Sequence, residues 1–129
     1  MSGGVHAVTA QRVFDGVVVR EDAAVLIDGD RIAAVIPRGE IAATIPLREL
    51  PENAWLAPGF IDIQVNGGGD RLFNDQPTPD IVRAIVAAHR KFGTTALLPT
   101  LISDSPEKMA AAMATVDSLI GVEPGVLGI

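Results

Sequence analysis

One stretch constrains the fold more than any other: Ala57-Pro58-Gly59-Phe60-Ile61-Asp62-Ile63-Gln64-Val65-Asn66, running into Gly67-Gly68-Gly69-Asp70. A Pro-Gly turn signal opens a short apolar run, which ends on two carboxamide side chains two positions apart and a run of glycines. Read as a strand, the run alternates. Phe60, Asp62, Gln64 and Asn66 fall on one face, and Ile61, Ile63 and Val65 on the other. Polar groups at the carboxyl end of a buried strand are where open α/β sheets and barrels place their sites. The plainer alternative is a strand end whose polar residues tie down a loop.

The pattern on the two sides of this stretch differs. Before it, the chain reads as hairpins. Val5-His6-Ala7-Val8 is a short first strand, and Arg12-Val13-Phe14 and Val17-Val18-Val19 flank the turn dipeptide Asp15-Gly16. Ala24–Ile27 and Arg31–Ile36 lie on either side of Asp28-Gly29-Asp30 as a second hairpin, and prolines then interrupt residues 38–53, leaving room for one short strand. After it, strand and helix alternate. Thr78-Pro79-Asp80 supplies an N-cap, a proline at the first helical position and an early acid, and Ser105-Pro106-Glu107 repeats the device. The apolar periodicity places Ile81, Ile85, Ala88 and Phe92 on one face of the first helix, and Met109, Met113, Val116 and Ile120 on one face of the second. Thr94–Leu98 is the strand between the helices, and Val126–Ile129 begins a third.

The order β-α-β-α-β implies a parallel sheet, either doubly wound or a (β/α)8 barrel. A complete barrel takes about 250 residues. The expected fold class is therefore α/β: a β-sandwich lobe over residues 1–56, followed over 57–129 by the first β/α units of a TIM barrel that is incomplete in this chain. Parallel strands left in this state carry open edges and an uncovered apolar face.

Composition excludes several function classes. A net charge of −6 and an isoelectric point near 4.7 leave no basic face for nucleic acid. The chain has no cysteine, so neither disulfides nor thiolate chemistry arise, in keeping with a cytoplasmic location. Met1-Ser2-Gly3-Gly4 lacks the charged and apolar regions of a signal peptide, and no apolar run is long enough to span a bilayer.

The β-rich head, the Pro-Gly-Phe-Ile-Asp entry and a strand ending in a polar pair resemble the start of the barrel in the amidohydrolase superfamily. Most of that superfamily carries His-x-His where this chain has Gln64-Val65-Asn66. With the glycine run, Phe73-Asn74-Asp75 and Leu98-Pro99-Thr100-Leu101-Ile102, the substitution resembles the N-acetylglucosamine-6-phosphate deacetylase family, in its mononuclear-metal form. The resemblance implies a homodimeric hydrolase of amino-sugar catabolism that removes acetate from a small amino-sugar phosphate. It implies one divalent metal, zinc or iron, whose ligands lie beyond Ile129, so residues 1–129 alone are expected to be inactive. Other amidohydrolases, dihydroorotase-like or adenine-deaminase-like, and a non-catalytic binding module are the alternatives.

A carboxamide oxygen is a far weaker ligand than a neutral imidazole. Gln64 and Asn66 therefore suit hydrogen bonding to a sugar hydroxyl or an acetamido group, or else they fix the glycine loop. The expected site-lining residues are Asp62, Gln64, Asn66, Gly67 and Thr100, with no catalytic group and no metal ligand in this chain. Asp62 is a site acid or a partner for loop N–H groups, and Thr100 faces the site or caps a turn. Gly67-Gly68-Gly69 favours close backbone packing over a phosphate cradle. His6 and His89 stand at no ligand spacing with another histidine or a clustered acid.

Overall fold

A computed structural model describes residues 4–129; Met1, Ser2 and Gly3, and with them most of the N-terminal stretch inspected for a leader, lie outside it. The chain divides into two compact units, residues 1–58 and 59–129. Both mix antiparallel and parallel strand pairs, and the α-helices belong to the second.

The first unit holds β1 (His6–Thr9), β2 (Arg12–Phe14), β3 (Val19–Glu21), β4 (Ala23–Asp28), β5 (Arg31–Pro37), β6 (Leu47–Glu49) and β7 (Trp55–Leu56). They form a four-stranded sheet in the order β5-β4-β1-β6 and a three-stranded sheet in the order β3-β2-β7. Val13, Ala23 and Val25 are buried together, with Ile27, Val35 and Leu56 packed against them, so side chains from both sheets meet in one small core. The hairpin of β4 and β5 closes between Asp28 and Arg31, on the Gly29-Asp30 turn. In the first hairpin, β3 starts at Val19 rather than Val17. The reason is Asp15, whose Oδ1 accepts the N–H groups of both Val17 and Val18 at 2.9 Å and holds them in the turn. Arg20 closes on Oδ2 at 2.6 Å, and these bonds draw the Asp15 carboxyl down to about pKa 2, the backbone N–H of Val18 contributing most.

The second unit contains β8 (Phe60–Val65), β9 (Gly67–Gly68), β10 (Arg71–Leu72), α1 (Pro79–Arg90), β11 (Thr94–Pro99) and α2 (Pro106–Asp117). β8 and β11 are parallel neighbours, and Val126 extends the ladder on the far side of β11 by a parallel bridge to Leu97. That bridge is the expected third strand at its first contact. Both helices start where the Ser/Thr-Pro-acid signals place them, but the caps differ: Ser105 Oγ accepts from Lys108 N at 3.3 Å, whereas Thr78 makes no side-chain cap bond.

The helix faces are a correction to the periodicity. In α1 the buried residues are Val82, Ile85 and Val86, and Phe92 is 81% exposed. In α2 they are Ala112 and Val116, followed by Leu119, while Met109, Met113 and Ile120 are exposed. In α1 the broad apolar face is buried along its Val82–Val86 side rather than centred on Ile81 and Ala88. By contrast, α2 carries apolar residues on several faces, and the tertiary fold settles which one turns inward. The core joins these residues to Val65, Phe73, Leu97 and Val126, with Ile81 and Leu101 at its edge. Ile61 and Ile63 of β8 stay exposed, leaving an apolar strand face open to solvent.

Candidate functional site

The carboxyl ends of β8 and β11 bring Asn66, Gly67 and Thr100 together. Thr100 N–H donates to Val65 O at 2.7 Å, carrying the pairing one step past the strand ends. Asn66 Nδ2 donates to Thr100 O at 2.8 Å. A backbone carbonyl only accepts, so this contact fixes the amide orientation: Nδ2 is committed to Thr100, and Oδ1 is the other end of the amide. The Thr100 hydroxyl turns back on Leu98 O at 3.1 Å, the local turn bond that hydroxyls commonly make.

Strict alternation along β8 fails between Asp62 and Val65. Asp62 pairs with Leu97 and Val65 with Pro99, so β8 carries one residue more than β11 over that interval. Across such an irregularity Asp62 is no longer bound to the face of Gln64 and Asn66. Its Oδ1 accepts the Gln64 backbone N–H at 3.1 Å, and its Oδ2 lies 4.0 Å from His89 Nδ1 on α1. The structure thus gives Asp62 the part of a partner for backbone N–H. Gln64 itself is exposed, its side chain free to meet solvent or a ligand.

The glycine run forms a tight hairpin rather than an anion nest. Gly68 pairs with Arg71 and Gly67 with Leu72, with Gly69 and Asp70 between them, both at positive φ of 61° and 60°. A Cβ on Gly67 would stand 2.3 Å from Arg71 O, inside the backbone of the opposite strand. Close packing, not phosphate, explains that glycine. The chain leaves the hairpin through Phe73, whose N–H donates to Asn66 O at 2.8 Å.

Asn74 and His89, neither of them among the expected site-lining residues, hold the loops around this strand end. Asn74 uses its amide as a two-pronged clamp, Nδ2 to Ile102 O at 2.8 Å and Oδ1 from Ile102 N at 2.9 Å, joining the loop after β10 to the loop after β11. Asp104, beside it, pairs with Lys108 at 2.9 Å, and that bond, with the Ser105 N–H, lowers its carboxyl below the usual range. His89 reaches from α1 to Gly67 O at 2.9 Å. The sequence signal for Asn74 is the Phe73-Asn74-Asp75 motif, and for His89 a polar side chain beside an apolar stripe.

Among the described residues, no three His, Cys, Asp or Glu side chains cluster as a metal site. Amide-bearing Gln64 and Asn66 are poor substitutes for such ligands. No helix of the described residues is long and apolar enough to cross a membrane.

No family model matches the chain. Individual proteins do. An N-acetylglucosamine-6-phosphate deacetylase from Pasteurella multocida superposes with a TM-score of 0.85 at 27% identity, over 92% of this chain and 31% of that one. In sequence and fold, this chain resembles part of an N-acetylglucosamine-6-phosphate deacetylase. The enzyme of that name from Mycobacterium smegmatis gives a TM-score of 0.76 at 27% identity, covering 91% of this chain and 33% of its own. By sequence, an N-acetylgalactosamine-6-phosphate deacetylase from Shewanella sp. is 52% identical over 75 residues, 57% of this chain. The N-acetylglucosamine-6-phosphate deacetylase of Haemophilus influenzae is 39% identical over 95 residues, 74% of this chain. The chain spans 19% and 25% of the lengths of those two relatives. The amidohydrolase expectation for the fold is met: an α/β chain, with the first β/α units of a barrel present and the rest of the barrel absent.

Proposed function

We propose that residues 1–129 form part of a deacetylase acting on an N-acetylated hexosamine 6-phosphate, releasing acetate and the free amine in amino-sugar metabolism. The observation that carries this reading is the Gln64-Val65-Asn66 strand end, with Asn66 bonded through Nδ2 to Thr100 O, in a chain that resembles deacetylases of that substrate class. In this reading Asn66 accepts a hydrogen bond from a substrate hydroxyl or amide N–H, and Gln64 offers a second, exposed amide. Gly67 lets the backbone turn directly behind them, while Thr100 and Asp62 hold the strand ends in place.

The single divalent metal of the resemblance, zinc or iron, would serve as a Lewis acid and a source of nucleophilic water. Gln64 and Asn66, amides with no cluster of three His, Cys, Asp or Glu among the described residues, do not fit it, and its ligands are assigned outside 1–129. By the same reading the complete protein is a cytoplasmic homodimer, and residues 1–129 alone are inactive.

The Shewanella relative supports a second substrate, the galactosamine epimer, which differs from the glucosamine form in the configuration of one ring hydroxyl. Acetate release from both 6-phosphates, measured on the full protein that carries this chain with zinc or iron(II) supplied, tests the reading. Turnover of one or both supports it, and the ratio of their kcat/KM values assigns the epimer. No release from either refutes it. Turnover by purified residues 1–129 alone would refute the incomplete-site part.

A further inference from the structure

We propose that His89 is a positioning residue that sets the backbone turn carrying Asn66, and that the second glycine of the run exists to receive its ring. What the site does is taken from the deacetylase reading; the geometry stands apart from it.

His89 lies in the last turn of α1, about a quarter exposed, with its imidazole directed toward the end of β8. Its Nε2 is 2.9 Å from Gly67 O. Because that carbonyl can only accept, Nε2 carries the proton and the tautomer is set. Gly67 follows Asn66 directly, so a bond to its carbonyl restrains the peptide plane immediately after the site amide. On the other side of the ring, Nδ1 stands 4.0 Å from Asp62 Oδ2, while Asp62 Oδ1 holds the Gln64 N–H. One imidazole therefore bonds the carbonyl just after Asn66 and stands beside Asp62, across the irregularity in β8. That interval is where the strand ladder is least able to hold its own register.

Gly68 provides an independent observation. A Cβ there would lie 2.9 Å from both Cδ2 and Nε2 of His89. Its φ is one that any residue adopts, so backbone freedom does not demand glycine at this position. The space taken by the ring does. A histidine that merely filled a helix face would not need a glycine fitted against its donor atom.

The test is a double-mutant cycle in the full protein, read as kcat/KM for hexosamine 6-phosphate and as hydrogen exchange at the Phe73 amide, which is bonded to Asn66 O. His89→Ala is expected to lower kcat/KM on the order of tenfold, the scale of a misplaced binding group, and to speed Phe73 exchange. His89→Gln, which keeps a donor of similar reach, is expected to recover most of both. Gly68→Ala should reproduce the loss by displacing the ring. In the His89→Ala background, Gly68→Ala should add little, since nothing remains to displace.

Unchanged kcat/KM in His89→Ala overturns the proposal, as does a Gly68→Ala effect that adds in full to it. Loss in His89→Gln equal to that in His89→Ala also overturns it, marking a purely structural role. If His89→Ala does not fold, His89→Gln and Gly68→Ala carry the comparison. If the wild-type protein turns over no hexosamine phosphate, the deacetylase reading falls. Phe73 exchange then decides the positioning role alone: faster in His89→Ala and restored in His89→Gln, or unmoved and refuted.

Discussion

Two phenylalanines separate what periodicity predicts from what packing does. Phe92 sits on the expected apolar face of α1 yet is 81% exposed, and Phe73, in a loop, is fully buried at 0%. Truncating Phe73 to alanine removes a ring from a core shared with Val65, Val82, Ile85 and Leu97. A buried phenylalanine withdraws roughly 150–200 Å² from water, and at about 25 cal/mol per Å² the transfer is worth about 4–5 kcal/mol. Residual burial in the unfolded chain trims that by roughly 10–40%, and the methyl group that alanine keeps trims it further. The cavity left behind adds to the loss and offsets part of that trimming. The net expectation is a loss of about 3–4 kcal/mol, a large share of the roughly 5–15 kcal/mol of a typical domain. Phe92→Ala is expected to stay within about 0.5 kcal/mol of wild type, as surface changes do. Urea unfolding of residues 1–129, followed by far-UV circular dichroism, measures both. A larger loss for Phe92→Ala than for Phe73→Ala, or a loss under about 1 kcal/mol for Phe73→Ala, refutes the core assignment.

The remaining predictions concern turns and loops. Asp15 has a folded pKa of about 2 against 3.8 ordinarily, so its bonds stabilise the fold above the unfolded value, and that stability is lost as pH falls from about 4 toward 2. Asp15→Asn should therefore narrow the stability gap to wild type over that interval, and an unchanged gap in acid denaturation counts against it. Gly67→Ala drives a Cβ into Arg71 O; opening the small hairpin forfeits bonds worth about 0.5–1.5 kcal/mol each, and faster exchange at Phe73 should accompany the lower midpoint. Asn74→Ala removes both bonds to Ile102, an expected loss of about 1–2 kcal/mol. Asn74→Asp keeps only an acceptor and sets a second carboxylate near Asp104, so it should be no better than alanine at neutral pH; full stability of either variant would sink the clamp.

Much of this molecule is determined locally and is legible without coordinates. The Asp28-Gly29-Asp30 hairpin, the Phe60–Val65 strand and the two helix starts at Pro79 and Pro106 each depend on a few adjacent residues whose backbone preferences leave little choice. The pair Gln64 and Asn66 is legible as two amides where a strand ends, and the structure bonds one of them, Asn66, to Thr100 O. The tertiary structure alone decided the rest. It turned Val82 inward and left Phe92, two residues past the end of α1, in solvent. It buried Ala112 rather than Met113 because a helix apolar on several sides, as α2 is, takes the face its neighbours offer. It shifted the register between Asp62 and Val65 and gave Asp62 to the Gln64 N–H, since a strand's alternation lasts only as long as its ladder stays even. It also brought His89 to Gly67, 22 residues apart in sequence, and Asn74 to Ile102, 28 apart. Contacts at such separations leave no periodic trace in the chain, and they form only when a strand, a hairpin and a helix pack together.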